Sequence, residues 1–389
     1  MRMIHVEFAK TGENLSGGEK CTIENIKYFQ SKGIRNVLLT TDNGKKVYES
    51  LGLCEGKFMK YYTISSYEFE KRHHIFLSYI YRTRQALKLV KYFRIFDNDV
   101  LFCHSEFFPN SIPFYFLSRK SDKTKLFYWF HMLAPSLFKG YEGEYTNRYN
   151  LPDLALIHYK INQLVYRLLT KSRGIILTVN PFYKNILSKL YPKNFVYDLK
   201  KYSGVKTIKN LNNAKKIYDL VWMGRFHKQK GLFEIPEILD ILKKYKEDIS
   251  LAIIGGGDKK IQDRFLKIIN ERNLGSNVKL FGHISSDDKF RIIQSSKIFI
   301  FPSYYESFGQ VALEAMANGL PVISYDLPVY VVFSEGIIKV PLLNNMKFAE
   351  EIVKLLRNKK NYSEKSKDAL EYASTFSWEK TGKEIYNLI

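Results

Sequence analysis

The chain is poor in cysteine. Its 389 residues include three cysteines, Cys21, Cys54 and Cys103, which are odd in number and widely separated. A disulfide framework uses cysteines in pairs, and a structural zinc site places them a few residues apart. The pattern therefore indicates reduced thiols and argues against both kinds of site. With no Asp-rich ligand cluster either, we expect no metal and no cofactor.

Long apolar segments are also missing. No run approaches the roughly 18 apolar residues that a membrane-spanning helix needs. The first residues, Met1 to Glu7, already have the pattern of a β-strand and do not resemble a signal peptide. We expect a cytoplasmic protein, either free or peripheral on the inner face of the membrane.

Acidic residues are scarce relative to basic ones. The chain has 61 Lys and Arg against 39 Asp and Glu, a formal net charge of +22. Residues 71–96 contain no acidic residue, and their cations alternate with aromatic and aliphatic side chains. This segment predicts either a helix on an anionic membrane surface or an ordinary amphipathic helix packed on a sheet. Nucleic acid ranks last as a partner, because no nucleic-acid-binding module is evident.

The apolar segments alternate between strand-like and helix-like patterns in both halves of the chain. This alternation predicts an α/β protein with two Rossmann-like, doubly wound domains. We expect an N-terminal domain over residues 1–205, a second domain over 206–370 and a C-terminal helix over 371–389 that crosses back to the first domain. A polar stretch over residues 200–213 is the predicted linker.

The most informative segment runs from Phe301 to Ile323 and reads as strand, tight loop, helix and next strand. Gly309 falls at the predicted helix start, where unpaired N–H groups and a small residue favour a phosphate. Glu306 and Glu314 lie on the order of 10 Å apart at about 1.5 Å per helical residue. That separation is too long for an acid/base carboxylate pair but suits the two ends of a nucleotide-diphosphate-sugar.

A second motif follows an apolar strand upstream. Arg225 and Lys230 are framed by Gly224 and Gly231. Arginine offers a planar fork for two phosphate oxygens, whereas lysine is a compact charge on a flexible stem. The pair predicts a diphosphate clamp.

Together these segments resemble the E-x7-E and G-R-x4-K-G motifs of retaining GT-B glycosyltransferases, in particular glycosyltransferase family 4 (glycosyl transferases group 1). The resemblance implies a GT-B fold, two Rossmann-like domains facing each other across a cleft. It also implies that Glu306 holds the donor sugar, Glu314 the ribose, and Arg225 and Lys230 the diphosphate. The further donor-binding residues that it implies are Gly224, His283, Ile284, Phe308, Gly309 and Gln310.

The first half supplies looser matches. Gly17 and Gly18 resemble the family's N-terminal glycine loop, which approaches the donor phosphates. His131 ends an apolar strand and resembles the family's active-site histidine, which contacts the donor sugar. His104 ends another such strand and is expected to act on the acceptor side or behind the site.

The sequence therefore predicts a metal-independent, retaining glycosyltransferase of hexosyltransferase type. It would move a sugar from a nucleotide-sugar donor to a glycan or lipid-linked acceptor hydroxyl, forming an α-linkage in surface-glycan or lipid-linked oligosaccharide synthesis. Two alternatives stay open at this point. One is a GT-B relative that epimerises or hydrolyses a sugar nucleotide, and the other is an inactive, membrane-associated scaffold.

Overall fold

The computed structural model describes residues 1–9, 17–146, 149, 151–199, 201–205 and 215–389. Within these residues the strands are β1 Arg2–Glu7, β2 Arg35–Thr41, β3 Met59–Ile64, β4 Val100–Cys103, β5 Lys125–Phe130, β6 Ile175–Thr178, β7 Phe195–Asp198, β8 Tyr218–Met223, β9 Leu251–Ile254, β10 Val278–Gly282, β11 Ser296–Phe301, β12 Val322–Tyr325 and β13 Ile337–Val340. The helices are α1 Gly17–Ser31, α2 Asp42–Ser50, α3 Tyr67–Glu70, α4 Ile75–Tyr92, α5 Phe108–Ser118, α6 Gly140–Gly143, α7 Leu154–Leu169, α8 Pro181–Leu190, α9 Ile235–Lys243, α10 Lys259–Glu271, α11 Ser286–Gln294, α12 Gln310–Met316, α13 Asn345–Arg357, α14 Lys359–Ser374 and α15 Trp378–Tyr386.

The chain forms two compact units. Unit 1 comprises Met1–Leu137, Leu151–Gly204 and Ser377–Ile389, and unit 2 comprises Phe138–Asn150 and Val205–Phe376. Residue 200 and residues 206–213 of the predicted linker lie outside the described residues.

Unit 1 is built on a parallel sheet. Among the described residues it has seven strands in the order β3-β2-β1-β4-β5-β6-β7. The central strands are almost entirely buried, because helices cover both faces of a doubly wound sheet. The parallel order places the carboxyl ends of all these strands at one edge.

Unit 2 repeats this architecture. Its described strands form a six-stranded parallel sheet in the order β10-β9-β8-β11-β12-β13. The core lies between this sheet and its helices and includes Trp222, Phe265, Ile300 and Phe348. The predicted fold class, two Rossmann-like α/β domains, is confirmed.

Three of the four edge strands among the described residues are not predicted from the sequence. β3, β7 and β13 each lie at an edge of a sheet, whereas the fourth edge strand, β10, is predicted over Val278–Phe281. An edge strand has only one neighbour and is partly open to solvent, so it does not need a continuous apolar run. Lys60 in β3 and Lys339 in β13 are exposed and interrupt the pattern.

One segment of the first half groups with unit 2. The sequence-based boundaries place residues 138–150 in the first domain, whereas their contacts belong to unit 2. The Tyr145 ring stacks on the Tyr305 ring with centroids 5.5 Å apart, and the Tyr141 ring meets the His227 ring edge-on. These aromatic contacts explain the grouping.

Basic residues of the 71–96 segment do not all face solvent. α4 was predicted to present Arg82 with its other cations, but the Arg82 side chain is buried. Its guanidinium forms an ion pair with Glu70 and donates a 3.1 Å hydrogen bond to the Ala9 carbonyl. Arg82 is therefore a structural residue that holds the chain after β1, and any surface role of α4 falls to its other cations.

The last helix belongs to unit 1. α15 packs on α1, where the Gly382 backbone lies against the Tyr28 ring. The Thr381 hydroxyl donates a 2.9 Å hydrogen bond to the Lys201 carbonyl, so α15 also fixes the last part of unit 1 before the second unit begins.

The contact at Gly382 allows a test of this packing. A Cβ atom at Gly382 would lie 2.5 Å from Cγ of Tyr28. Cγ of Tyr28 is close to the Tyr28 backbone and cannot move far without it. Gly382→Leu should therefore displace α15 and lower the free energy of unfolding by about 1–3 kcal/mol through overpacking. Hydrogen exchange measured by mass spectrometry should show faster exchange over residues 378–386. Lys383→Leu at the neighbouring exposed position is the matched control, and equal protection in the two variants would contradict this packing.

Candidate functional site

The candidate site in unit 2 lies where the direction of sheet winding changes. β8 and β11 are neighbours, and the chain leaves β8 toward β9 on one side and leaves β11 toward β12 on the other. Open α/β sheets bind ligands at such a switch point, beyond the carboxyl ends of the strands. The loop after β8 carries Arg225 and Lys230, and the loop after β11 carries Glu306. The sheet order thus brings together two motifs that are far apart in sequence.

These two loops are joined through backbone contacts. The Tyr304 N–H donates a 2.9 Å hydrogen bond to the Gln229 carbonyl, and the Gln229 side-chain amide donates a 2.7 Å bond to the Tyr305 carbonyl. Gly231 has a φ of +65°, and a Cβ atom there would lie 1.7 Å from the Pro302 oxygen. Only glycine fits this position, for both reasons. The spacing between Lys230 and Glu306 is therefore set by backbone packing.

The central side-chain contact is an ion pair. Lys230 Nζ lies 2.6 Å from Glu306 Oε1, and the Glu306 side chain is only 7% exposed. An ammonium group has three N–H donors, so the bond to Glu306 leaves donors for an anionic ligand. Arg225 is exposed in the same loop and forms no ion pair with any described residue. The site thus offers a lysine paired with a buried carboxylate and a second, exposed cation in the same loop as that lysine.

Glu314 lies in the helix that follows the Glu306 loop. It is in α12 and is buried, and its Oε2 lies 2.8 Å from Nζ of Lys289 in α11. His283 and Ile284 immediately precede α11, in the loop after β10. The His283 ring lies close to Gly256, where a Cβ atom would be 3.0 Å from its Nε2. The exposed His283 and half-buried Ile284 therefore precede α11, the helix whose Lys289 pairs with Glu314.

The predicted glycine at the start of the helix is in place. Gly309 is the N-terminal cap residue of α12 with a φ of +98°. Phe308 is buried against Phe333 and Phe376, whereas Gln310 is half-buried as the first residue of α12. Gly224 follows β8 and packs against the Trp222 ring. Gly224 thus lies in the segment after β8, and Gly309 lies in the segment after β11, the two strands of the switch point.

Unit 1 has its own switch point between β1 and β4. His104 directly follows β4, and His131 directly follows the next strand, β5. Gly17 and Gly18 begin α1, and a Cβ atom at Gly18 would lie 3.0 Å from the His131 ring. The structure therefore brings Gly18 and His131 together, while the position of a Gly17 Cβ atom is open space.

A chain of buried hydrogen bonds lies behind His131. His131 Nε2 is 3.0 Å from the His104 carbonyl, His104 Nε2 is 2.9 Å from His5 Nδ1, and His5 Nε2 is 3.0 Å from Asn36 Oδ1. At its other nitrogen, His104 Nδ1 lies 2.9 Å from the Thr22 hydroxyl. Both ring nitrogens of His104 are thus engaged within unit 1. This favours the role behind the site over direct contact with an acceptor.

The direction of these hydrogen bonds can be assigned. The Asn36 amide nitrogen donates to the Ile34 carbonyl, so Asn36 Oδ1 accepts from His5 Nε2. Burial lowers the pKa of His5 to about 4, with the Asn36 hydrogen bond opposing, and burial followed by the His5 and His131 charges lowers the pKa of His104 well below 6.5. Both rings are neutral at pH 7. His104 therefore donates to His5 and accepts from Thr22.

Several residues of these sites were missed in the sequence. Lys289 and Gln229 stand in ordinary polar surroundings, and nothing in the sequence links them to Glu314 or to the loop after β11. His5 could have been singled out from the sequence, since it is a histidine inside an apolar strand. Tyr141 and Tyr145 could not be assigned, because their packing partners lie in the other half of the sequence.

The fold defines the class of protein. The whole chain aligns with a mutant of TarM from S. aureus in complex with fondaparinux, α-GlcNAc-glycerol and UDP, with a TM-score of 0.76, 13% identity and coverage of 100% of this chain and 99% of that one. It aligns similarly with HepE from Anabaena in complex with UDP and glucose, with a TM-score of 0.72, 14% identity and coverage of 100% and 99%. Identities this low show the fold alone. The chain has the GT-B fold of glycosyltransferases.

The family match lies in the second unit. Residues 206–375, less than half of the chain, match the family model described as glycosyl transferases group 1. The predicted GT-B fold is confirmed, and the predicted resemblance to group 1 is matched over these residues. The retaining mechanism and family 4 remain predictions.

Curated relatives match over part of their length. The capsular polysaccharide biosynthesis glycosyltransferase CapH of Staphylococcus aureus is 28% identical over 200 residues, 49% of this chain and 54% of CapH. A D-inositol 3-phosphate glycosyltransferase of Corynebacterium efficiens is 25% identical over 178 residues, 43% of this chain and 42% of the relative. The chain spans about half the length of the curated relatives that it matches.

The neutral histidines make a prediction about pH. Below pH 6.5 unfolded His5 binds a proton that folded His5 does not bind until about pH 4, so the free energy of unfolding of unit 1 should fall as the pH is lowered through this window. His5 alone should remove on the order of 2 kcal/mol between pH 7 and pH 5. Urea unfolding in a Trp222→Phe background measures this, since the remaining tryptophans, Trp129 and Trp378, lie in unit 1.

Two variants provide the comparison. His5→Phe should reduce the pH dependence, whereas His73→Gln, at an exposed position, should leave it unchanged. An identical pH dependence in His5→Phe and the parent protein would contradict the assignment of a neutral, buried His5.

Proposed function

We propose that the protein transfers a sugar from a nucleotide-diphosphate-sugar to an acceptor hydroxyl, with retention of configuration and formation of an α-linkage. The observation that carries this proposal is the Lys230–Glu306 pair at the switch point of unit 2, with Arg225 in the same loop. A diphosphate needs closely spaced cations, and a sugar needs a buried hydrogen-bond acceptor beside them. The group 1 family match over the same residues supports this assignment.

Each charged residue has a distinct role in the proposal. Arg225 and Lys230 bind the diphosphate and stabilise the charge that develops on it as it leaves. Glu306 accepts hydrogen bonds from hydroxyls of the donor sugar. Glu314 accepts hydrogen bonds from the ribose, and Lys289 holds its carboxylate in position through the 2.8 Å contact.

The remaining predicted residues complete the binding role. Gly224, Gly309, Phe308 and Gln310 shape the donor site of unit 2, with His283 and Ile284 near the base. In unit 1, Gly17, Gly18 and His131 bind ligand at the edge of the sheet, with His104 positioning His131 from behind through the 3.0 Å contact to its carbonyl.

The proposed reaction needs no protein base. The bond between the anomeric carbon and the leaving phosphate oxygen breaks, and the acceptor oxygen bonds to the same face of that carbon. The proton of the acceptor hydroxyl passes to an oxygen of the leaving phosphate. CapH is named for capsular polysaccharide biosynthesis, and we propose a related role for this chain in surface-glycan or lipid-linked oligosaccharide synthesis.

The overall test is acceptor-dependent nucleotide release. The protein is incubated with a panel of nucleotide sugars, with and without glycan and lipid-linked acceptors. Release of nucleotide together with a glycosylated, α-linked product supports the proposal. Release without an acceptor would instead indicate a hydrolase, a changed sugar in the donor an epimerase, and no change with any donor an inactive scaffold.

The diphosphate clamp can be tested at Arg225. This residue is exposed and unpaired among the described residues, so its removal should not disturb folding. Arg225→Ala should lower turnover by roughly 10²–10³, the scale for losing one preorganised charge-stabilising group. Lys228→Ala is the matched control, because Lys228 is an exposed cation in the same loop. Equal turnover in Arg225→Ala and Lys228→Ala would remove Arg225 from the clamp.

Metal independence is a separate prediction. Since Arg225 and Lys230 supply the positive charge at the diphosphate, a divalent ion is not needed to neutralise it. Turnover should therefore persist in EDTA. Activity that EDTA abolishes and Mg²⁺ or Mn²⁺ restores would show that this prediction is wrong, while leaving the assignment as a glycosyltransferase intact.

A further inference from the structure

The sheet of unit 1 separates two sets of helices. α1 and α2 follow strands that step from β1 toward β3, whereas α4, α5, α7 and α8 follow strands that step the other way, from β3 through β4 to β7. Right-handed crossovers place the two sets on opposite faces of the sheet. We call α4, α5, α7 and α8 the basic layer, and α1, α2 and α15, which packs on α1, the balanced layer.

The two layers differ in charge. The helices of the basic layer contain no Asp or Glu and eight cations: Arg82, Arg84, Lys88, Lys91, Lys160, Arg167, Lys184 and Lys189. The helices of the balanced layer contain six acids and six cations: Glu19, Glu24, Asp42, Glu49, Glu379 and Glu384 with Lys20, Lys27, Lys45, Lys46, Lys380 and Lys383. The net positive charge of these helices therefore lies entirely on one face of unit 1.

Some of the basic-layer cations are already engaged. Arg82 is buried against Glu70, Lys184 pairs with Asp198, and Lys160 donates to the Ala134 carbonyl. The exposed members are Arg84, Lys88, Lys91, Arg167 and Lys189. The nearby acids lie in α3 and in the connecting segments. They include Glu68 of α3, which pairs with Lys71, and Asp97, which pairs with Lys123.

The same layer exposes an aliphatic stripe. Leu154, Ile161, Leu164 and Leu168 of α7 are 77%, 44%, 56% and 74% exposed, and their spacing of three, four and seven residues aligns them on one side of the helix. The stripe is about 21 Å long at 1.5 Å per residue. A stripe of this kind is unusual on a solvated helix and indicates a surface that is covered in use.

The first turns of α4 extend this apolar surface. Ile75, Phe76, Leu77 and Ile80 are 41–48% exposed. The Phe76 ring packs edge-on against the His158 ring of α7, with centroids 5.2 Å apart. The first turn of α4 is therefore in contact with α7 within unit 1.

We propose that the basic layer docks on an anionic phospholipid membrane, with the α7 stripe and the first turns of α4 entering the interface. An amphipathic helix lies in the headgroup region when its apolar face enters the acyl boundary and its cations meet anionic lipids. A second copy fits less well, because two basic layers would bring like charges together. Nucleic acid would use the cations but leave the leucines without a role.

The sequence left the same partner open on a smaller surface. It offered residues 71–96 alone, with Arg82 among the cations, as either a membrane-surface helix or an ordinary packed helix, whereas the structure removes Arg82 and adds α7. Docking does not depend on the proposed enzymatic function. If that function is correct, docking would suit a lipid-linked acceptor, because α4 and α7 begin at the sheet edge that carries His104 and His131.

The experiment is a flotation assay with vesicles of phosphatidylcholine alone or mixed with phosphatidylglycerol. The parent protein should bind the anionic vesicles, and binding should weaken as salt is raised. The charge variant Arg84→Glu/Lys88→Glu/Arg167→Glu should weaken binding roughly 100-fold or more, at about fivefold for each cation lost. The apolar variant Leu154→Ser/Leu164→Ser/Leu168→Ser should also weaken it, without a change in net charge.

The matched control reverses three exposed cations of the balanced layer, Lys46→Glu/Lys380→Glu/Lys383→Glu, with the same change in net charge. It should bind anionic vesicles like the parent protein. Circular dichroism and thermal unfolding establish that each variant is folded, and none of these readouts uses enzymatic activity.

Three results would overturn the proposal. Equal loss of binding in the control and the charge variant would show attraction by net charge alone. A parent dimer that the leucine variant dissociates in sedimentation velocity would assign the stripe to a second copy. Tight binding of RNA or DNA, lost in the charge variant while vesicles do not bind, would assign the layer to nucleic acid.

Discussion

The candidate donor site depends on the close contact between the loops that follow β8 and β11. Gly231 brings its backbone against Pro302, and Gln229 holds Tyr304 and Tyr305 by two hydrogen bonds. This contact fixes the positions from which Lys230 and Glu306 meet at 2.6 Å. A buried carboxylate is costly without a paired cation. The ion pair therefore stabilises the loops, and it also holds the two charged groups in place before a ligand binds. The same pair therefore links the diphosphate and sugar parts of the proposed site.

Unit 1 meets the cost of burying polar groups in a different way. At its edge the histidines take part in a directed chain of neutral hydrogen bonds from Thr22 through His104 and His5 to Asn36. Every ring nitrogen of His5 and His104 has a partner, which is what allows two imidazoles to lie in an apolar sheet. The chain holds the His104 carbonyl that contacts His131. Rigid support of this kind keeps a side chain such as that of His131 in one orientation.

The order of the strands in unit 1 explains why charge is distributed unevenly over its two helix layers. α4, α7 and α8 each look like a basic amphipathic helix, which is common and needs no partner, and α5 carries no charged residue. The sheet order collects these four acid-free helices on one face, so their net positive charge becomes a property of that face. No helix within the described residues is long and apolar enough to cross a membrane.

The sequence alone determined the fold class, most central strands and the two charged motifs, because buried strands need continuous apolar runs and phosphate chemistry needs particular residue types at fixed local spacing. It did not determine β3, β7 and β13, since an edge strand tolerates charges such as Lys339. It also could not show that Lys230 pairs with Glu306, that Lys289 holds Glu314, or that Arg82 is buried. Those contacts join residues that are distant in sequence, or depend on which face of a helix meets the sheet, and only the strand order and packing of the tertiary structure decide them.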